Sequence, residues 1–117
     1  MTRARVTTEH RPPERLVLEV QEGAAVTIGE LDAEWPSFRW CVDELGVGGW
    51  VPDRYLRHEE LGRARCLRAY STRELTVDPG DEVELVERDD ESGWHWCRDG
   101  AGREGWVPAR SLAEGSR

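Results

Sequence analysis

Several segments of the chain alternate apolar residues with polar or small ones, which is the two-residue period of a half-buried strand. In EVELVE (82–87) the alternation places Val83 and Leu85 on one face, and AVTIGE (25–30) repeats the pattern. This pattern predicts strands near residues 4–9, 25–30, 38–43, 47–51, 65–70, 82–88, 94–99 and 103–107. No stretch longer than about ten residues shows an apolar stripe of helical period.

Short turn sequences separate the predicted strands. DELG (43–46) and DGAG (99–102) each begin with aspartate and end with glycine, and glycine supplies the positive φ of a hairpin turn. Pro52 and Pro108 are expected to end a strand and begin a short 3₁₀ turn, because proline fixes φ and lacks a donor. Short strands joined by such turns predict an all-β fold, either a small barrel or a sandwich.

The second half of the chain repeats the first. The aligned segments are GWVPDRYL (49–56) with GWVPARSL (105–112), WCVDELGVGGWVP (40–52) with WCRDGAGREGWVP (96–108), and RARV (3–6) with RARC (63–66). A repeat of this length indicates two units of about 58 residues each. We therefore expect domains at residues 1–57 and 64–117, joined by a short polar linker at 58–63.

The charge of the chain narrows the classes of partner. It carries 24 acidic against 16 basic residues, a net charge of −8, which argues against a general affinity for nucleic acid or anionic membranes. No apolar run approaches the ~18 residues of a spanning helix, and the first residues lack the apolar core of a secretory signal. We expect a cytoplasmic protein that binds neither nucleic acid nor membrane.

The cysteines and histidines give no pattern of catalysis or metal binding. Cys41, Cys66 and Cys97 are an odd number without dense spacing, so we interpret them as small core residues and not as a disulfide framework. His95 and Cys97 offer too few ligands for a metal, and no histidine stands near a nucleophile with an orienting acid. The sequence predicts no enzyme, no metal and no cofactor.

The order of features in the second half resembles that of an SH3 (Src homology 3) domain. The matching segments are CLRAYS (66–71) for the Ala-Leu-Tyr-Asp-Tyr opening, ELTVDPGDEVELVERDD (74–90) for the RT loop and following strand, WHWC (94–97) for the tryptophan-rich strand, and GWVPARSL (105–112) for the Gly-Tyr-Pro ending. The first half resembles the variant SH3 domains of bacteria. This resemblance implies two SH3-like barrels in tandem.

The resemblance also implies a binding module whose aromatic groove takes proline-rich peptides in the polyproline II conformation. The implied groove positions are Tyr70, Trp94, Trp106 and Pro108 in the second copy and Phe38, Trp50, Pro52 and Tyr55 in the first. The acids that would face a basic residue of the ligand are Glu74, Asp89, Asp90 and Glu91. Four positions depart from the family pattern. Arg68 and His10 replace tyrosines of the opening motif, Phe38 replaces the groove tryptophan in the first copy, and Ser111 replaces the final tyrosine in the second.

Alternation along the third strand supports an aromatic surface independently. Trp94 and Trp96 lie two residues apart, so both point to the face opposite Cys97. Because cysteine is commonly buried, the Cys97 face is predicted to be the core and both indoles are predicted to emerge. Phe38 and Trp40 are expected to emerge in the same way, and exposed aromatic patches mark interaction sites.

Three functions fit these observations. The first is a non-enzymatic adaptor or regulatory protein that binds a protein segment, either proline-rich or basic, through its aromatic grooves. The second is a structural or assembly unit whose aromatic faces are buried by contact between domains or by dimerisation. The third is binding of a cell-wall glycan. The segment RPPER (11–15) could itself occupy the acidic groove of the second copy.

Overall fold

The computed structural model describes residues 2–114, which form twelve strands and two 3₁₀ turns, so the predicted all-β class is confirmed. The strands are β1 (Thr2–Val6), β2 (Glu19–Val20), β3 (Ala25–Leu31), β4 (Phe38–Val42), β5 (Gly48–Pro52), β6 (Leu56–His58), β7 (Arg63–Cys66), β8 (Tyr70–Ser71), β9 (Glu82–Asp89), β10 (Trp94–Arg98), β11 (Glu104–Pro108) and β12 (Leu112–Glu114). The 3₁₀ turns, Asp53–Tyr55 and Ala109–Ser111, directly follow the two prolines as predicted. The strands β2, β6, β8 and β12 escaped prediction as separate strands because two or three residues are too few to show alternation. None of the helices within residues 2–114 is long and apolar enough to cross a membrane.

The chain divides into two compact units. The split unit consists of Met1–Glu14 and Arg73–Arg117, and the inserted unit consists of Arg15–Thr72. Each contains a five-stranded antiparallel sheet, in the order β11-β10-β9-β1-β12 in the split unit and β5-β4-β3-β7-β6 in the inserted unit. The two orders correspond strand by strand, with β1 of one sheet in the place of β7 of the other.

These units differ from the predicted domains at 1–57 and 64–117, because the two copies exchange their first strand. Strand β1 pairs with β9 and β12 of the second copy, and β7 pairs with β3 and β6 of the first. The predicted linker at 58–63 is instead a hairpin turn between β6 and β7, in which Leu61 and Gly62 adopt φ of 59° and 71°. Each sheet is therefore built from both copies of the repeat.

The two cores are equivalent position by position. The buried apolar residues of the split unit are Ala4, Val6, Leu75, Val77, Val83, Cys97 and Val107. Those at the corresponding positions of the inserted unit are Ala64, Cys66, Leu18, Val20, Val26, Cys41 and Val51. Val6 and Cys66, the residues that differ between the exchanged strands, are both small and apolar, so either strand satisfies either core.

Loop length gives a physical reason for the exchange. In the inserted unit the Thr72 amide donates to the Leu18 carbonyl at 2.9 Å, and the Leu18 amide donates to the Thr72 hydroxyl at 2.8 Å. Without the exchange, β7 would belong to the sheet of the second copy, and Thr72 would pair with Leu75 as it now pairs with Leu18. Only Arg73 and Glu74 would then connect the two paired residues. Two-residue hairpin turns need positive φ, which glycine and asparagine adopt far more readily than arginine or glutamate. Exchange removes the need for that turn.

The two predicted aspartate turns are confirmed. In each, the aspartate carboxylate accepts hydrogen bonds from the backbone amides two and four residues ahead, all at 2.9 Å. Gly46 and Gly102 close the turns with φ of 86°. Burial opposes ionisation of Asp99, but the hydrogen bonds that its carboxylate accepts outweigh it and lower the pKa of Asp99.

Candidate functional site

The third strand of the split unit turns its cysteine inward and its indoles outward, as predicted. Cys97 is fully buried, whereas Trp94 and Trp96 are half-buried. In the inserted unit Trp40 is likewise half-buried, but the prediction that Phe38 emerges was wrong, because its exposed fraction is 7%. Phe38 begins β4 directly after the loop 32–37, and its carbonyl accepts the Asp32 amide at 2.9 Å.

Two of the predicted groove residues, Trp106 and Trp50, form cross-strand aromatic pairs with Trp96 and Trp40, the indoles predicted to emerge on the surface. Trp96 meets Trp106 edge-to-face with ring centroids 5.1 Å apart, and Trp40 meets Trp50 in the same way at 5.0 Å. Such pairs stabilise a sheet by about 0.5–1.5 kcal/mol beyond their burial. The structure therefore gives each of these indoles a packing contact within its own sheet.

The site of the split unit gathers around Trp94. The imidazole of His10 packs edge-on against the Trp94 ring with centroids 5.3 Å apart, and its Nε2 lies 2.7 Å from Glu74 Oε1. Pro108 is the cross-strand partner of Trp94. Pairing between His10 and Val77 fixes the two segments that carry this arrangement. The result is an aromatic site with a carboxylate beside it.

The acidic run after β9 contributes unequally. Asp89 is buried, with its amide donating to His95 Nδ1 at 3.1 Å and its carboxylate accepting the Ser92 amide at 3.4 Å. Of the four acids predicted to face a basic ligand, three lie in this run. Asp90 and Glu91 are on the surface, whereas Asp89 takes part in the internal hydrogen bonding of the loop.

The site of the inserted unit gathers around Tyr55 and Tyr70, whose ring centroids lie 5.6 Å apart. The guanidinium carbons of Arg54 and Arg68 each lie 4.6 Å from the centre of the Tyr55 ring. Both guanidinium groups also donate to the Tyr55 hydroxyl, Arg54 at 3.0 Å and Arg68 at 3.3 Å. Tyr70 itself is 8% exposed. Pro52, the remaining predicted residue, is buried and pairs across the strands with Phe38.

The exchange regroups the predicted groove residues. Tyr70 was expected beside Trp94, Trp106 and Pro108, but it belongs to the inserted unit, and His10 takes its place in the split unit: His10 pairs with Val77 as Tyr70 pairs with Val20. The contacts of His10 with Glu74 and of Arg54 with Tyr55 were therefore not predicted. One signal was present, because four residues (71–74) separate Tyr70 from Leu75 whereas seven (11–17) separate His10 from Leu18.

The glycine of the second GWVP segment allows the backbone around Glu74 to lie close to β11. A Cβ on Gly105 would lie 2.8 Å from the backbone carbon of Glu74 and 2.8 Å from the Leu75 amide nitrogen. The backbones are joined there by hydrogen bonds from the Trp106 amide to Arg73 at 2.9 Å and from Leu75 to Trp106 at 3.1 Å. Gly105 thus holds the segment that carries Glu74 against β11.

Other candidate chemistry finds little support in the described part of the chain. Residues 2–114 contain no group of three or more His, Cys, Asp or Glu side chains that could hold a metal ion. Burial raises the pKa of Cys41 and Cys97 to about 12 and also raises that of Cys66. The three thiols are therefore protonated at neutral pH and unsuited to act as nucleophiles.

The segment RPPER is held at its start. Arg11 forms an ion pair with Asp78, and its Nη1 donates to the Val77 carbonyl at 2.9 Å. Arg11 also lies 3.8 Å from Glu9, and these partners all belong to the split unit.

Comparison with known proteins identifies one SH3 sequence in the chain. Residues 68–109 match the family model described as SH3 domain. The human guanine nucleotide exchange factor DBS is 51% identical over 71 residues, which cover 59% of this chain and 6% of that protein. The chain thus corresponds to a small part of that relative's length. No solved structure matches the chain.

The family match runs across the boundary between the two units. Residues 68–72 belong to the inserted unit and residues 73–109 to the split unit. The match supports the SH3 fold and the binding-module class, and the human relative gives no support for the predicted bacterial variant.

Proposed function

We propose that this protein is a non-enzymatic cytoplasmic adaptor in which two SH3-like barrels bind extended, proline-containing protein segments. The observation that carries the proposal is the recurrence of one site in both units. An aromatic ring or imidazole follows the exchanged strand (His10 or Tyr70), and a second aromatic residue begins the third strand opposite a proline (Trp94 with Pro108, or Phe38 with Pro52).

The chemistry of the split unit suits such a ligand. A polyproline II segment has no internal hydrogen bonds and packs its rings on aromatic surfaces, and the half-buried indole of Trp94 provides one. Glu74 lies on the other side of the His10 ring, where its carboxylate can meet a basic side chain of the ligand. An exposed ion pair contributes only about 0.2–1 kcal/mol, so it would set preference more than affinity.

A second candidate function is supported by burial in the inserted unit. Phe38 and Tyr70 are only 7% and 8% exposed, so their rings offer little surface to a peptide. This favours an assembly unit, in which the aromatic residues hold the protein together, for that half of the site. The two candidates predict different behaviour in solution.

Titration of the full chain with synthetic proline-rich peptides tests the proposal, with binding followed by indole fluorescence and ¹H–¹⁵N spectra. Trp94→Ala is expected to weaken binding about tenfold or more, because aromatic anchors dominate such interfaces. Trp96→Ala is the matched control. It removes the same kind of side chain two residues further along the strand, where the indole packs against Trp106. Denaturant unfolding of both variants establishes that the native fold is retained.

Two results would count against the adaptor. Equal affinity of wild type and Trp94→Ala for every peptide would show that Trp94 does not contribute to the binding site. Absence of any peptide binding, together with a dimeric mass in solution, would favour the assembly unit.

A further inference from the structure

His10 stands between the aromatic ring and the carboxylate of the split site. Its imidazole packs edge-on against Trp94 with ring centroids 5.3 Å apart, and its Nε2 lies 2.7 Å from Glu74 Oε1. Only 16% of the His10 side chain and 24% of the Glu74 side chain are exposed, so water screens the contact between them incompletely. A ligand that packs on Trp94 therefore lies close to both members of the pair.

The carboxylate of Glu74 fixes which nitrogen of a neutral His10 carries the hydrogen. An ionised carboxylate only accepts hydrogen bonds, so the neutral imidazole donates to it through Nε2–H. The lone pair of this tautomer lies on Nδ1, and a second proton adds there. Protonation of His10 therefore takes the pair from one negative charge to none and leaves the bond between the two side chains in place.

This change removes the charge that a basic ligand meets. While His10 is neutral, the pair carries the full charge of Glu74 beside the aromatic surface of Trp94. Histidine is the side chain that ordinarily changes its charge between pH 5 and 8. Acidification within that range therefore weakens the electrostatic attraction for a basic side chain and keeps the aromatic surface.

The inserted unit has different residues at both positions. Tyr70 occupies the place of His10, because it pairs with Val20 as His10 pairs with Val77. Val17 occupies the place of Glu74, one residue before the core leucine. Neither tyrosine nor valine changes its charge near neutral pH. The pair is thus a property of the split unit.

Other charged groups on the elements around His10 belong to classes that keep their charge in this range, apart from one histidine. They are Glu9 and Arg11 on its own segment, Arg73 and Asp78 on the segment of Glu74 and Val77, and Asp89, Asp90, Glu91 and His95 around Trp94. Carboxylates ordinarily titrate near pH 4 and arginine above pH 12. His95 is buried, and its Nδ1 accepts the Asp89 amide at 3.1 Å. An experiment must therefore separate His10 from His95.

We propose that His10 is a charge switch of the split site, which binds basic, proline-containing segments at neutral pH and weakens its hold on them when the imidazole is protonated. This inference rests on the proposed function and concerns the regulation of the same site.

Two peptides of equal length and proline content test the inference, one with an arginine and one with glutamine in its place. Each is titrated into the full chain at constant salt between about pH 5.5 and pH 8, where carboxylates ordinarily stay ionised. Binding is followed in ¹H–¹⁵N spectra, and circular dichroism verifies the fold at each pH.

We expect the arginine peptide to lose up to about fivefold in affinity from the high to the low end of this range, which is the contribution of one ion pair near the surface. The glutamine peptide should lose none. His10→Gln keeps a side-chain donor and cannot become charged, so its affinity for the arginine peptide should not depend on pH. Glu74→Gln should bind that peptide weakly at every pH.

His58→Gln is the matched control. His58 Nε2 lies 2.8 Å from Asp53 Oδ1 in the inserted unit, so this variant removes an imidazole–carboxylate contact of the same kind away from Trp94. The pH dependence of the arginine peptide should be the same as in the wild type.

The outcomes separate the inference from the function on which it rests. If both peptides bind but the pH dependence persists in His10→Gln, or is equal for the two peptides, the charge switch is wrong and the adaptor proposal stands. Binding of both peptides with no pH dependence leads to the same conclusion. If neither peptide binds at any pH, both proposals fail.

Discussion

The two units of this protein have the same sheet and different sites. Strand order, core positions and both aspartate turns correspond from one unit to the other. Around the binding position, however, the split unit has His10 and Glu74 where the inserted unit has Tyr70 and Val17. An alternating core therefore specifies the fold, while residues at the ends of the strands can differ and so change which ligand is bound.

The two units also differ in the contacts of the outward indole, which is Trp96 on β10 and Trp40 on β4. In the split unit Trp96 Nε1 donates to Glu104 Oε1 at 2.8 Å, a bond that, together with Arg98, lowers the pKa of Glu104. In the inserted unit the corresponding residue is Gly48, where a Cβ would lie 2.3 Å from the Trp40 ring. One sheet thus holds its indole by a side-chain hydrogen bond and the other by leaving out a side chain.

Separate fragments should show the largest difference between the units. Residues 15–72 contain all five strands of the inserted sheet, so this fragment is expected to unfold cooperatively in urea, as followed by circular dichroism. Residues 64–117 lack β1, the strand between β9 and β12, and are expected to show no cooperative transition. Adding a peptide of residues 1–14 to the second fragment should restore part of its structure.

Fragment 1–57, which lacks β7, serves as the control for the exchange. It has almost the length of the inserted unit but lacks the strand that pairs with β3 and β6, so it should be less stable than residues 15–72. Cooperative folding of both 1–57 and 64–117 would show that the copies close on themselves, contrary to the exchanged pairing.

Alanine at the paired glycines should have an intermediate and unequal effect. Gly105→Ala forces a Cβ against backbone atoms of Glu74 and Leu75, and we expect a loss of about 1–3 kcal/mol in the free energy of unfolding. Gly49→Ala meets Leu18 Cβ and Thr72 Cγ2 at 2.9 Å, and its loss should be smaller because rotation of the Thr72 side chain removes one of the two contacts. Urea denaturation of the two variants measures the difference, and an equal loss at both sites would contradict it.

The smallest expected effect concerns an ion pair that only the inserted unit has. Burial disfavours ionised Asp53, but hydrogen bonds from Arg39 and His58 outweigh this and lower its pKa, whereas Ala109 stands at the corresponding place in the split unit. A lowered folded pKa contributes stability above the unfolded value of about 3.9, and that stability is lost as the pH falls through the folded value. Since the pair is partly exposed, Asp53→Asn should cost about 0.2–1 kcal/mol at pH 7 and less at pH 3.

Unfolding in urea at both pH values checks this expectation, with Asp32→Asn as a control carboxylate in the same unit. A loss from Asp53→Asn that is as large at pH 3 as at pH 7 would mean that the side chain acts through packing and not through its charge.

Much of the fold could be predicted because it is encoded locally. Alternation placed Val83 and Cys97 in the core, and the Asp-x-x-Gly spacing placed both turns. Phe38 was misplaced because it is the first residue of β4 and is buried, and strand periodicity does not report what covers a residue at the end of a strand. The basic cluster on Tyr55 was not predicted because Arg54 and Arg68 meet only after distant segments pack together.

The sequence by itself determined the strand pattern, the core and the sites at which the chain turns. Tertiary packing determines which copy of the first strand pairs in which sheet. That pairing in turn determines which residues lie together in a site. RARV and RARC present an alanine followed by a small apolar residue, Val6 or Cys66, to equivalent cores in the same register, so local pattern cannot distinguish them. The pairing is decided by chain connection, because the four residues between Tyr70 and Leu75 are poorly suited to closing the second copy on itself.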